Sequence, residues 1–153
     1  MDLDEIDSKV IQYLMTHGRI TWAELAGALE LSAPATADRV RRLEERQVIR
    51  GYTALVNPEA IGYPLTALIA VTLEKPKYRA PFLKKVEQLP EIQECHHVTG
   101  DDDYWLKVRC QDTHDLERLI SDVKELPGIL RTRTTIVLST VKETTVLPLK
   151  KQV

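Results

Sequence analysis

The spacing of the hydrophobic residues changes once along this chain, and that change bounds what it can fold into. From residue 3 to 48 apolar side chains recur at intervals of three and four. From residue 65 onward they alternate or run in short β-branched blocks, with helical spacing returning twice. A helix repeats its face about every 3.6 residues and a strand every two, so one segment cannot serve both patterns. The 153 residues therefore divide into a helical part and a mixed part, a length that suits one ordinary domain or two small ones.

Within the helical part, Leu3, Ile6, Val10, Ile11 and Leu14 give a first helix one apolar face. Asp2 with Glu5 is expected to cap its start, each side chain satisfying a backbone N–H that has no partner inside the helix, and Gly18 to stop it. Thr21 with Glu24 repeats the capping pattern before Leu25, Ala26 and Leu29. Ser32 then caps a third helix that tolerates Pro34 in its first turn, with Thr36, Val40 and Leu43 facing inward and Val48-Ile49 closing the segment. Two short helices separated by little more than Glu30-Leu31 outline a helix-turn-helix; a generic three-helix bundle is the alternative on architecture alone.

Residues 1–50 are thus read as a helix-turn-helix domain, 51–64 as a hinge strand (Tyr52 to Val56) and linker broken by Gly and Pro, and 65–153 as a second domain. Its order reads βαββαβ. A strand over Leu65 to Leu73 is followed by a helix over 80–89 with Phe82, Leu83, Val86 and Leu89 on one side. Strands follow over Ile92 to Thr99 and through Tyr104, Leu106, Val108 and Cys110. Asp112 opens a helix bearing Leu116, Leu119, Ile120, Val123 and Leu126, and Ile129 to Thr140 is a last β-branched run. Val86-Glu-Gln-Leu-Pro-Glu-Ile92 returns 37 positions later as Val123-Lys-Glu-Leu-Pro-Gly-Ile129, each copy ending a helix at Leu-Pro because Pro cannot continue it. Two such halves make a ferredoxin-like sandwich, so the fold class is α+β. Helices on one side leave the other sheet face open. The first strand is apolar or small on both sides, and a face of this kind meets another subunit, so at least a dimer is expected.

Charge sharpens the reading of the third helix. On a helical wheel Arg39, Arg42 and Arg46 fall within about 60° of one another, and a guanidinium fork suits phosphate oxygens or the O6 and N7 of guanine. Asp38 with Arg42, and Arg41 with Glu45, offer the competing picture of a solvated salt-bridged face. The chain carries a net charge of −2, yet residues 31–52 hold five Arg against three acids while residues 1–30 hold two basic and six acidic groups. No apolar run approaches the roughly 18 residues of a membrane span, and the acidic N-terminus is unlike a secretory signal, so a cytoplasmic protein with no membrane partner is expected. Cys95, His96, His97, Cys110 and His114 look at first like metal ligands, but no Cys-x-x-Cys or His-Glu-x-x-His spacing occurs and no glycine-rich phosphate loop is present. Neither an enzyme nor a metal or cofactor is expected.

Leu3-Asp-Glu-Ile-Asp7, Leu25-Ala26, Leu31-Ser32, Val40-Arg-Arg-Leu-Glu44, Val48-Ile49 and Gly51-Tyr52 together resemble the DNA-binding half of the Lrp/AsnC family. These are the leucine-responsive and asparagine-responsive transcriptional regulators of bacteria and archaea. Asn57-Pro58, Gly62, Val98-Thr-Gly-Asp-Asp-Asp-Tyr104, Leu126-Pro127-Gly128 and Val141-Lys-Glu-Thr-Thr145 resemble its linker and effector-binding half. The resemblance implies an N-terminal winged helix-turn-helix that binds double-stranded DNA. It also implies a C-terminal sandwich that dimerises and assembles to tetramers or octamers, with a small amino acid bound between dimers as effector. The DNA-contacting set expected is Ser32, Thr36, Arg39, Arg41, Arg42 and Arg46. The effector set expected is Thr99, Gly100, Asp101, Asp103 and Tyr104 of the turn, with Thr132 and Thr134 on the last strand. Asp38 stands where the family's reading helix is often basic or neutral, and Trp105 where a smaller apolar residue is usual.

Overall fold

The computed structural model describes residues 3–149 and divides into two compact units, one of residues 3–55 with 142–149 and one of residues 56–141. The first contains α1 (Glu5–Thr16), α2 (Trp22–Leu29) and α3 (Ala33–Glu45). Val10, Leu25, Val40 and Leu43 are its buried anchors, with Ile6, Leu14, Ile20, Leu29, Val48 and Ile49 packed around them. The cap of α1 is Asp4 with Asp7 rather than Asp2 with Glu5: Asp4 accepts from the Asp7 N–H at 2.7 Å, and Asp7 accepts in return from the Asp4 N–H. Asp2 lies outside the described residues. The Thr21–Glu24 cap of α2 and the Ser32 cap of α3 form as their sequence spacing requires.

The second unit is a four-stranded antiparallel sheet of β1 (Leu65–Leu73), β2 (Ile92–His97), β3 (Tyr104–Cys110) and β4 (Ile129–Ile136), ordered β2-β3-β1-β4, with α4 (Arg79–Gln88) and α5 (Thr113–Lys124). The order βαββαβ with β1 and β3 central is the ferredoxin-like sandwich. Ala67, Ile69 and Val71 of β1 pair in register with Val108, Leu106 and Tyr104 of β3. They form one core with Phe82, Leu89, Leu116, Leu119 and Val123. Because side chains alternate along a strand, Leu68, Ala70, Thr72, Trp105, Lys107, Arg131 and Arg133 point to the opposite face. The two Leu-Pro echoes diverge where the chain needs them to. Gly128 has φ +80, and a Cβ there would sit 2.0 Å from the Tyr78 ring, whereas Glu91 at the equivalent place is not in the positive-φ region.

Three expectations are corrected. Tyr52 to Val56 forms no strand: none of the four sheet strands pairs with it. Within one chain this β-like run has no ladder to complete. The last strand ends at Ile136, not Thr140, where pairing with β1 runs out at Ala67. Residues 146–149 lie along α1, beside Glu5, Lys9, Gln12 and Met15, so the C-terminal stretch groups with the helices rather than with the sandwich.

Candidate nucleic-acid interface and effector turn

The turn between α2 and α3 is set by Glu30 in the left-handed region (φ 55) and by the Leu31 N–H donating to the Ala26 carbonyl at 3.0 Å. It delivers Ser32, exposed, to the first turn of α3, where its Oγ accepts from the Ala35 N–H. Exposed along the first half of α3 are Ala33, Pro34, Ala35 and Ala37, and along the second half Arg41, Arg42, Glu45 and Arg46. Small apolar groups at the leading end of a reading helix permit close approach to base edges and fit the thymine methyl. Sequence reasoning passed over these alanines because it looked for charge.

The cations of α3 fall into two classes. Arg41 bonds Asp38 and Glu45, and Arg42 bonds Asp38 at 3.1 Å; all four side chains are at least 46% exposed. The Arg41 fork beside Asp38 lowers that carboxyl's pKa. Such exposed pairs exchange readily for a phosphate. Arg39 differs. It turns back onto α1, where its Nη1 donates to Asp4 at 2.6 Å and to Asp7 at 2.8 Å, and its side chain is only 22% exposed. The hydrogen bond it donates to Asp4 leads the causes that raise its pKa. Arg39 therefore lies at the flank of the inward face instead of in an outward stripe. Thr36 is buried completely, its Oγ1 donating to the Ser32 carbonyl, so its hydroxyl faces the helical core. Tyr52 anchors the start of the linker on α3: its hydroxyl donates to Glu44 at 2.7 Å, and burial pushes its pKa up to about 12, helped by that bond.

In the sandwich, Thr99, Gly100 and Asp101 form the exposed tip of the β2–β3 turn, with Gly100 at φ +111, a conformation other residues rarely adopt. Asp103 sits behind the tip. Its Oδ2 accepts from the Leu73 N–H at 2.7 Å, its N–H donates to the Val71 carbonyl, and its carbonyl accepts from the Val98 N–H. Tyr104 is 2% exposed and belongs to the core, its ring 4.9 Å from Phe82 and 5.0 Å from His97. Thr132 and Thr134 pair with Val71 and Ile69, which puts them half-buried on the helix-covered face. The structure does not bring Tyr104, Thr132 or Thr134 to the exposed tip, because strand alternation turns them toward the helices.

What sequence reasoning missed is Asp102. It is buried although it lies in a turn, and it bonds Thr72, Arg131 and Arg133 on the open face. The pairing of Arg131 with Thr72, and the two-residue step to Arg133, could have identified that face once the register was known. The metal rival fares differently: Cys95 and His97 share the helix-covered face, while His96 bonds Glu94 on the other. Among the described residues no group of three or more His, Cys, Asp or Glu side chains converges, and no helix is long and apolar enough to cross a membrane.

Comparison with known proteins adds an independent line. Residues 3–44 match the family model of the AsnC-type helix-turn-helix domain, and residues 66–147 that of the Lrp/AsnC ligand binding domain. A leucine-responsive regulatory protein of Haemophilus influenzae is 41% identical over 151 residues, covering 97% of this chain and 91% of the relative. Among solved structures, a transcriptional regulator of Neisseria meningitidis in complex with L-methionine superposes with a TM-score of 0.92 at 32% identity, over 96% of this chain and 97% of that one. A feast or famine regulatory protein of Mycobacterium tuberculosis, also complexed with L-methionine, gives 0.89 at 37% identity over 95% and 99%.

Proposed function

The chain belongs to the Lrp/AsnC family of transcriptional regulators, and from that premise we propose how its own residues read DNA and receive an effector. α3 enters the major groove with Ser32, Ala33, Ala35 and Ala37 toward the base edges, while Arg41, Arg42 and Arg46 engage the flanking phosphates or a guanine. The observation that carries this is the pairing of a small, exposed leading half with exposed, exchangeable arginines behind it. Thr36 and Arg39 leave the contact set; they hold the helix in place.

Two copies meet through the open sheet face, where Leu68 and Trp105 offer apolar area, and dimers assemble further to a tetramer or octamer. A two-fold axis sets reading helices about 10 base pairs apart or a multiple of it. Modest local charge makes each reader weak alone, so affinity comes from several copies acting together. The effector is a small amino acid held between dimers at the exposed tip, with Asp101 accepting from its ammonium group. Relatives complexed with L-methionine make that amino acid the first probe. The protein acts in the cytoplasm and performs no catalysis.

A gel-shift titration on a duplex from the gene's own upstream region, with unlabelled competitor and with and without L-methionine, tests the reading. Specific binding that L-methionine shifts supports it. Retention of every duplex equally, or of none, refutes it.

A further inference from the structure

On the open sheet face two guanidinium groups converge on one carboxylate. Asp102 Oδ2 accepts from Arg133 Nη2 at 2.8 Å, and Oδ1 from Thr72 Oγ1 at 3.2 Å and Arg131 Nη2 at 3.4 Å. Within a single chain the carboxylate is 8% exposed, whereas the arginines are 53% and 59% exposed. Two cations face a single anion, so the cluster keeps one surplus positive charge. Were the carboxylate missing, two like charges two residues apart on β4 would face one another with their forks aimed at the same point. That is the arrangement that binds a planar carboxylate, since each fork can donate parallel N–H groups to its oxygens.

We propose that Arg131 and Arg133 form a carboxylate-binding cradle that this chain fills with its own Asp102, and that this occupancy holds the effector turn in place. The two neighbouring acids then act from opposite sides. Asp103 ties the turn to the backbone of β1 through Leu73 and Val71. Asp102 ties it across the open face to β4. Between them the tip of Thr99, Gly100 and Asp101 stays exposed while its base is fixed. Asp102 is a positioning residue: it supplies the anion of the cradle and leaves the effector to the tip. Calling the turn an effector turn rests on the reading above; the cradle itself does not.

Chemical rescue tests the cradle. Asp102→Ala empties it, and sodium formate supplies a small free carboxylate, with sodium chloride at equal ionic strength as control. The readout is hydrogen exchange at the Leu73, Val98 and Asp103 amides, which needs no effector. Loss of a charged hydrogen bond is expected to speed exchange there about ten- to a hundredfold. Formate should restore most of that protection and chloride should not. Unchanged exchange in the variant, or formate no better than chloride, overturns the proposal. If Asp102→Ala does not fold, Arg133→Gln in the full chain serves: the same amides must exchange faster and formate must fail to protect them, and unchanged exchange again overturns it. L-methionine binding by the unaltered protein is scored separately, so a protein that ignores L-methionine sinks the effector reading while the cradle stands or falls on exchange alone.

Discussion

In the helical unit one arginine is held by two carboxylates, Arg39 between Asp4 and Asp7; in the sandwich one carboxylate is held by two arginines, Asp102 between Arg131 and Arg133. The first arrangement withdraws a cation from the reading helix and fastens α3 to the start of α1. The second leaves a surplus cation on the open sheet face and fastens a turn to an edge strand. The same chemistry thus removes positive charge from the reading helix and leaves it on the sheet beside the β2–β3 turn. Formal charge along the sequence hides this, because it counts Arg39 and Arg42 alike.

Substitutions in the two units can break this comparison. The largest effect is expected from Arg41→Ala combined with Arg42→Ala. Each loses a contact worth about 1–3 kcal/mol, so DNA affinity should fall roughly a hundredfold or more while the melting temperature holds. Retained affinity in fluorescence anisotropy would shift the contact surface elsewhere. Gly100→Val forces a side chain into a backbone conformation with φ +111. It should abolish any L-methionine response in the gel shift and spare DNA binding, and a normal response would move the effector site off the tip. Arg39→Ala should behave in the opposite sense to Arg42. We expect a loss of about 1–2 kcal/mol in the stability of the helical unit, after allowing for its partial exposure, read as a melting point several degrees lower. The smallest effect is for Gln47→Gly. Gln47 has φ 57 just past α3, where the Val48 N–H bonds the Leu43 carbonyl, and glycine there should stabilise by up to about 1 kcal/mol in thermal melts.

Much of the fold was legible because its determinants are local. Capping pairs such as Thr21–Glu24, the alternation of Tyr104 to Cys110 and the Leu-Pro helix ends declare themselves within a few residues. The Tyr52 to Val56 run misled because β-propensity says nothing about whether a partner strand is present. The site was legible in part. Exposed Arg41 and Arg42 follow from the helical period, but the fate of Arg39 depends on Asp4 and Asp7, more than thirty residues earlier in the chain. The face that Thr132 and Thr134 occupy was not legible, because strand parity has meaning only once the register with Val71 and Ile69 is known. Asp102 was overlooked between two acids that look equivalent in sequence; only the arginines of β4 distinguish it.

The most direct test compares the salt dependence of DNA binding for the unaltered protein, Arg42→Ala and Arg39→Ala. Each phosphate neutralised releases counterions, so the slope of log affinity against log salt counts the cations on the backbone. With Arg42 on a phosphate, its removal should reduce that slope by about one per subunit contact, while removal of Arg39 leaves it unchanged. A slope that falls with Arg39 and not with Arg42 would contradict the division of roles on α3.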